Sequence, residues 1–200
     1  MMIFTYPTDR YDFRSPVEAA IGDIDRLTWD GGAELVASDQ RTPWHADLYA
    51  LYDHGWIEVW DRFCVEWVRP IFGTKLAVQA RPTWRVHPAL NRAIGPHHTD
   101  RLYGHGPGTL NLWIPLTDTN PSNTLWIGNR PVIACYGDVV VFDGVNDTHG
   151  NVPNLSDRSR VSFDARLVPI SQLTGGESFN TRTPLEVGGY YNDLDALSTS

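Results

Sequence analysis

The 200-residue sequence has few cysteines, little positive charge and no long hydrophobic run. Its two cysteines, Cys64 and Cys135, lie far apart and outside any CxxC motif, so we expect both to be reduced and buried. Sixteen lysines and arginines against 24 aspartates and glutamates leave a formal net charge of −8, which argues against nucleic acid as the main partner. The longest apolar runs, such as residues 139–142, are too short to cross a bilayer.

The first residues also lack a basic region followed by an apolar segment, which is the pattern of a secretion signal. We therefore expect a cytoplasmic protein that binds a small molecule, with neither a nucleic acid nor a membrane as partner. The negative net charge suits a cationic small molecule. Monomer and homodimer are both left open.

Length and aromatic content indicate how the chain is organised. Two hundred residues fit one domain that can bury a core without disulfides. Aromatic residues make up 12% of the chain and include eight tryptophans, so large rings must fill the core or line a pocket. We expect a single domain with a helical flank over residues 1–74, a β core over residues 75–170 and a tail or lid over residues 171–200.

The first third of the chain has helical patterns. Residues 15–18 (SPVE) predict a capping box with proline at the first helical position. A second helical tract begins near Thr42 and is stopped by Pro70 and Gly73. Its apolar residues recur at steps of three and four, which predicts one apolar stripe that packs against a sheet. This stripe consists of Trp56, Trp60, Phe63, Cys64 and Trp67.

From Lys75 onward, short strands are separated by glycine, proline, asparagine and aspartate. Short strands at regular spacing without intervening helices predict an antiparallel double-sheet or barrel-like core. The predicted strands lie near residues 76–86, 98–103, 109–115, 124–127, 132–142 (broken by Gly137-Asp138), 148–151 and 160–169.

The residues with the clearest chemistry begin at His98. On a strand, residues two apart project from the same face, so His98 and Asp100 would lie side by side. His149, several strands later, offers a third ligand. Two histidines and one carboxylate on one face of an octahedron leave three positions open, which is the arrangement that non-haem Fe(II) oxygenases use.

A second group follows on the last predicted strand. Arg160 and Ser162 share one face of it, and a guanidinium beside a hydroxyl can hold a buried carboxylate. A dicarboxylate such as 2-oxoglutarate could chelate iron through its keto-acid end and place its far carboxylate there. A buried arginine without a partner would be costly, so Arg160 implies an anion. The alternative is an ion pair with a protein carboxylate such as Asp164.

Several motifs, taken in order, resemble the non-haem iron, 2-oxoglutarate-dependent dioxygenases. Within that family the chain is most similar to the small bacterial branch of aminoglycoside pathways, typified by the streptomycin-biosynthesis oxygenases. The similarity covers residues 76–169. The motifs are His98-Thr-Asp100, Tyr103-Gly-His105, residues 111–117 (NLWIPLT), Asn123-Thr-Leu-Trp126, Asp147-Thr-His149-Gly-Asn151 and residues 160–166 (RVSFDAR).

This resemblance implies a mainly β fold with N-terminal helices and a double-stranded β-helix core, the jelly-roll of cupin-like proteins. It implies that His98, Asp100 and His149 are the catalytic iron ligands. It implies further that Arg160 anchors 2-oxoglutarate with help from Ser162. Two more cosubstrate contacts are carried over from the resemblance, and these are Tyr103 and Asn111. An aspartate at the position of Asp100 favours oxygenation over halogenation.

The expected activity is the oxidation of a small metabolite in antibiotic or other natural-product biosynthesis. The reaction would use Fe(II), 2-oxoglutarate and O₂, hydroxylate or otherwise oxidise a C–H bond, and release succinate and CO₂. We expect a cationic or sugar-like substrate near Arg85, His105 and Trp113. One alternative is a cupin-type metalloenzyme that does not use 2-oxoglutarate, although the usual HxH motif followed by glutamate is missing. The other is a non-catalytic jelly-roll binding module.

Overall fold

A computed structural model describes residues 1–29, 39–91, 95–173, 175–179 and 181–197. Its α-helices are α1 (Ser15–Ile21), α2 (His45–Ala50), α3 (Trp56–Phe63) and α4 (Arg69–Phe72). A π-helical turn, Cys64–Val68, joins α3 to α4, and 3₁₀ turns cover Leu51–Asp53, Asp100–Tyr103 and Ile170–Gln172. The strands are β1 (Met2–Thr5), β2 (Leu76–Gln79), β3 (Thr83–His87), β4 (Leu110–Pro115), β5 (Trp126–Ile127), β6 (Arg130–Pro131), β7 (Asp138–Phe142), β8 (His149–Gly150), β9 (Arg160–Pro169) and β10 (Tyr191–Asp193).

The strands form two antiparallel sheets. The larger has seven strands in the order β1-β7-β4-β9-β2-β10, and β3 also pairs with β9. The smaller has the order β6-β5-β8, and an antiparallel bridge between His98 and His149 extends it by one residue pair. The fold is therefore mainly β with antiparallel strands, as expected.

Strand β9 separates an apolar layer from a polar one. All but the last of its ten residues are buried, and successive side chains point to opposite faces. Val161, Phe163, Ala165 and Leu167 belong to the main hydrophobic core. The alternate residues Arg160, Ser162, Asp164 and Arg166 therefore share the other face, which is the one that carries the site.

The apolar face of the larger sheet packs against the helices. The ring centroid of Phe163 lies 5.0 Å from that of Trp56 and 5.9 Å from that of Trp60, and Trp84 on β3 lies 4.8 Å from Trp56. Burial of one such ring contributes about 2–3 kcal/mol. The predicted aromatic stripe and its packing against a sheet are confirmed, and this packing holds the larger sheet in place.

The helix ends differ from the prediction. Helix α1 begins at Ser15, but Ser15 does not form a capping box. Instead Oδ1 of Asp12 accepts the backbone N–H groups of Arg14 and Ser15 at 3.1 and 2.9 Å. Pro70 does not stop the helical tract, which continues past it to Phe72 in α4. The chain leaves that helix at Gly73, with a φ of 99°.

Two strand predictions and one cysteine prediction were wrong. Residues 98–103 form a single bridge at His98 followed by a 3₁₀ turn, not a strand. Of the strand predicted over residues 132–142, only residues 138–142 form a strand, which is β7. Cys64 is buried as expected, whereas Cys135 is exposed.

The two ends of the chain also add strands to the larger sheet. Strand β1 pairs with β7, although it lies in the expected helical flank, and β10 pairs with β2, although it lies in the expected tail. The sheet thus extends beyond residues 75–170. None of the helices in the described part of the chain has both the length and the apolar character that a membrane crossing requires.

Candidate metal centre

Three side chains from different elements meet between the two sheets. The backbones of His98 and His149 exchange two N–H···O bonds of 2.9 Å, which places the two imidazoles side by side. The backbone N–H of Asp100 donates to the carbonyl of Gly144 at 2.7 Å. Oδ1 of Asp100 lies 3.6 Å from Nε2 of His98 and 3.4 Å from Nε2 of His149. One ligand atom from each residue can therefore reach a common point, with all three atoms within 4.8 Å of one another.

Backbone carbonyls determine which ring nitrogen of each imidazole carries the hydrogen. Nδ1 of His98 lies 2.7 Å from the carbonyl oxygen of Pro96, and Nδ1 of His149 lies 2.9 Å from that of Asp147. A carbonyl can only accept, so each Nδ1 carries the hydrogen. Each Nε2 is then left with a lone pair directed toward Asp100, which is how metal-binding histidines are usually held.

The carboxylate of Asp100 completes the donor set. Its Oδ1 is buried and has no hydrogen-bond partner in the described residues. Its Oδ2 accepts from Nδ2 of Asn111 at 2.8 Å and from Arg166 at 3.0 and 3.2 Å. Burial raises the pKa of this carboxyl, whereas the neighbouring Arg166 lowers it, and the pKa lies far below its usual range. An ionised oxygen without a donor, beside two nitrogen lone pairs, fits a divalent cation.

A row of alternating charges connects Asp100 to Arg160. Arg166 bonds both Asp100 and Asp164. Nε of Arg85 lies 2.7 Å from Oδ1 of Asp164, and Nη1 of Arg85 lies 3.2 Å from Oδ1 of Asp39. Three guanidinium groups thus meet three carboxylates, so the cluster is neutral by itself. Its members, in order, are Arg160, Asp39, Arg85, Asp164, Arg166 and Asp100.

Arg160 itself is only 1% exposed. It pairs with Asp39, whose Oδ2 lies 3.1 Å from Nη2, and not with Asp164. Its Nε has no hydrogen-bond partner in the part of the chain that the structure describes. The guanidinium carbon lies 5.9 Å from the ring centre of Trp113, and the indole N–H of Trp113 donates to Oγ of Ser162 at 3.1 Å. Burial lowers the pKa of Arg160 and Asp39 partly restores it.

Two cavities adjoin the histidines of this centre. The inner cavity measures about 30 Å³ and lies between the sheets, where Arg160, Trp113 and Asn111 line it together with the two histidines. The outer cavity measures about 210 Å³ and opens beside His98. Its lining includes side chains from three parts of the chain. These are Gln40, Arg41, Tyr49, Thr83, Arg85, His98, Tyr103, His105, Arg166, Ser178, Thr181 and Tyr190.

The other candidate residues divide between these cavities. Asn111 lines the inner cavity and bonds Asp100 instead of Arg160. Trp113, expected near the substrate, lies beside Arg160. Tyr103 lines the outer cavity, where its ring lies 5.0 Å from that of His98.

Arg85 and His105 both line the outer cavity. Arg85 is held by two carboxylates, so its charge is already balanced. Nδ1 of His105 lies 3.2 Å from the hydroxyl of Tyr191. Burial, together with nearby Arg166, lowers the pKa of His105 to about 4, so this imidazole is neutral at physiological pH.

Sequence reasoning missed two residues of the cluster. Arg166 shares the polar face of β9 with Arg160, so strand alternation could have identified it. Asp39 lies 121 residues from its partner Arg160, and no motif marks it.

Known proteins resemble the chain in sequence and in fold. No protein-family model matches the chain. The streptomycin biosynthesis protein StrG of Streptomyces griseus is 39% identical over 177 residues, which cover 86% of each chain.

Three solved structures share the fold at low identity. EctD from S. alaskensis, solved with 2-oxoglutarate and 5-hydroxyectoine, has a TM-score of 0.59 at 13% identity, covering 94% of this chain and 76% of EctD. The non-heme monooxygenase ThoJ, as a nickel complex, has a TM-score of 0.53 at 15% identity, covering 98% of this chain and 81% of ThoJ. The α-ketoglutarate-dependent carbocyclase SnoK from nogalamycin biosynthesis has a TM-score of 0.50 at 19% identity, covering 82% and 76%.

Proposed function

The chain belongs to the family of the streptomycin biosynthesis protein StrG, and on that basis we propose that it is a non-haem iron oxygenase. It would use 2-oxoglutarate and O₂ to oxidise a small metabolite in antibiotic biosynthesis. The two antiparallel sheets would form a double-stranded β-helix, and the whole chain would work as one domain. The fold that it shares with solved non-haem oxygenases supports this proposal.

One observation carries the proposal of iron. Oδ1 of Asp100 is buried, has no hydrogen-bond donor among the described residues, and lies between the Nε2 atoms of His98 and His149. Leaving an ionised acceptor unsatisfied in the interior costs a few kcal/mol, and a divalent cation removes that cost. His98, Asp100 and His149 would hold iron on one face and leave the remaining positions to ligands.

A second unsatisfied atom supports the cosubstrate. Nε of Arg160 is a buried donor that no acceptor in the described part of the chain reaches, and Arg160 lines the same inner cavity as the two histidines. A dicarboxylate that chelates the metal with its keto-acid end would place its far carboxylate at Arg160. Trp113 would pack against that guanidinium and orient the Ser162 hydroxyl through its indole N–H.

Iron, when bound, would supply the activation of O₂ and the oxidation of a C–H bond, with 2-oxoglutarate converted to succinate and CO₂. The chain supplies the geometry of the site. The carbonyls of Pro96 and Asp147 hold the two imidazoles in their metal-binding tautomer. Asn111 and Arg166 hold one oxygen of Asp100, so that the other is aimed at the metal.

The outer cavity is the proposed substrate site, because it opens beside His98. Hydroxyl and amide groups such as those of Tyr103, Thr83 and Gln40 line it and would suit a sugar-like metabolite. The charged side chains that line it within the described ranges are arginines, with no carboxylate among them. That lining does not support the cationic substrate expected from net charge.

Anaerobic titration tests this function. The metal-free protein would be titrated with Fe(II) and then with 2-oxoglutarate, while the visible metal-to-ligand charge-transfer band is followed. A band that requires both additions supports keto-acid chelation to iron. A band of wild-type strength in Asp100→Ala would contradict the assigned ligands. The control is Asp157→Asn, which changes an exposed carboxylate and should give the wild-type band. Bound iron without a band would indicate a metalloenzyme that does not use 2-oxoglutarate, and no iron binding would indicate a binding module.

A further inference from the structure

Asp39 is a buried acid in the proposed cosubstrate site. It is 5% exposed, and its two oxygens bond different arginines: Oδ1 lies 3.2 Å from Nη1 of Arg85 and Oδ2 lies 3.1 Å from Nη2 of Arg160. Burial raises the pKa of this carboxyl, but Arg85 and Arg160 outweigh burial and hold the pKa below its usual range. An anion of the chain itself therefore already sits on Arg160.

The inner cavity is small where Asp39 and Arg160 line it. Its volume of about 30 Å³ accommodates a water molecule or two, so a far carboxylate at Arg160 needs a lining side chain to move. Asp39 lines this cavity together with Arg160. A second carboxylate on the same guanidinium would also repel the first, since two carboxylates that share a site disfavour each other's ionised form.

We propose that Asp39 is a specificity-determining residue of the cosubstrate site. Its carboxylate occupies the position on Arg160 that the far carboxylate of 2-oxoglutarate takes, so the cosubstrate binds by displacing it. This inference rests on the proposed function. It predicts that Asp39 weakens binding of ligands with a far carboxylate and leaves other 2-oxo acids unaffected.

The local structure allows the side chain of Asp39 to move without unfolding its surroundings. The backbone carbonyl of Asp39 accepts the N–H of Val86 at 2.8 Å, which ties the main chain to β3. Oδ1 has its own partner in Arg85. Rotation of the carboxylate away from Arg160 thus breaks one charge-assisted bond and a long contact of 3.5 Å from Nδ2 of Asn151, while Arg85 can still hold the displaced group.

The experiment compares two ligands on iron-loaded protein without O₂. 2-Oxoglutarate has the far carboxylate, and 2-oxobutyrate has the same keto-acid end without it. Dissociation constants would be measured from the visible band for wild type, Asp39→Asn and Asp39→Ala, with circular dichroism to verify folding. Asp25→Asn is the matched control, since Asp25 pairs with Arg14 on another part of the chain.

Loss of one charge-assisted competitor should lower the dissociation constant of 2-oxoglutarate at least about tenfold in both Asp39 variants. The constant of 2-oxobutyrate should change less than about twofold, because that ligand does not reach Arg160. A complex that forms only in the variants would also support the inference.

Three results would overturn it. Equal or weaker 2-oxoglutarate binding in folded Asp39 variants would show that Asp39 does not compete, while the proposed function stands. Equal tightening of both ligands would place the effect away from Arg160. Absence of any 2-oxoglutarate complex in every variant despite bound iron would reject the proposed function and this inference together.

Discussion

Arg166 donates two hydrogen bonds, of 3.2 Å from Nε and 3.0 Å from Nη2, to Oδ2 of Asp100. The other oxygen of that carboxylate, Oδ1, is the one that lies within 3.6 Å of the two histidine Nε2 atoms. The two oxygens of one carboxylate thus have separate roles. Arg166 holds Oδ2 in place, and Oδ1 is available to a metal as a single ligand atom.

Arg166→Gln should therefore weaken metal binding without removing a ligand. Loss of a partner that orients a ligating group typically costs 10–100-fold in metal affinity. The metal-free protein should also lose about 3 kcal/mol of unfolding free energy, because two buried carboxylates lose their counter-charge. Fe(II) affinity and urea unfolding would be measured. Arg101→Gln, which changes an exposed arginine one residue after Asp100, is the control, and wild-type iron affinity in Arg166→Gln would contradict the assigned task.

Arg160→Ala should raise the dissociation constant of 2-oxoglutarate at least about tenfold, because a charge-assisted contact to the far carboxylate is lost. Fe(II) binding should remain intact, because the three metal ligands are unchanged. Arg158 is the natural comparison. It lies two residues away, but its side chain is 54% exposed and only reaches Asp25 at 4.0 Å. Binding that depends on Arg158 and not on Arg160 would move the anchor out of the inner cavity.

Buried histidines predict a fall in stability below neutral pH. Burial, with a contribution from Arg160, lowers the pKa of His87 to about 4, and burial with Arg166 does the same for His105. The unfolded chain takes up these protons near pH 6.5, so the stability that the neutral imidazoles contribute is present above that pH and is lost as the pH falls toward 4. Below that range the depressed pKa values of Asp39 and Asp164 add to the loss.

The measurement is urea unfolding of the metal-free protein from pH 7.5 to 4.5, with a chelator present. The unfolding free energy should fall by on the order of 5 kcal/mol over that range, about half from each histidine. The variant His105→Gln should show a shallower fall than the wild type. A pH-independent unfolding free energy would contradict buried neutral histidines.

The polar face of β9 shows how much the sequence could predict. The bounds 160–169 were predicted correctly, because a buried strand that alternates between a polar and an apolar layer has a clear period of two. At His98 the same reasoning placed together two residues that the structure also brings together, but it predicted the wrong geometry. His98 and Asp100 do not share a strand face, since a 3₁₀ turn begins at Asp100, and the turn brings the carboxylate to the imidazole.

Contacts between distant segments set the limit of that reasoning. Asp39 reaches Arg160 across 121 residues, and the tail residue Tyr190 reaches the outer cavity. Neither follows a period or a motif. Both depend on which loops cross the open side of the sheets, which is determined by tertiary packing and not by local pattern.

Gly150 offers a test of the metal centre that changes no ligand. A Cβ at this position would lie 2.7 Å from the carbonyl oxygen of Gly95 and 2.9 Å from the backbone nitrogen of His97. Both are backbone atoms that cannot rotate away, so Gly150→Ala should push apart the segments that carry His98 and His149. Fe(II) affinity should fall at least about tenfold, because facial ligation tolerates misplacement of only about 0.5 Å.

The neighbouring exposed residue provides the control for Gly150→Ala. Thr148→Ala, which changes a solvent-exposed side chain in the same segment, should bind Fe(II) as the wild type does. If Gly150→Ala also binds Fe(II) with wild-type affinity while the protein remains folded, the close pairing of His98 with His149 is not required, and a metal held by both imidazoles would be contradicted. If its affinity falls and the circular dichroism spectrum is unchanged, the spacing between these two backbones is what makes the three side chains a single site.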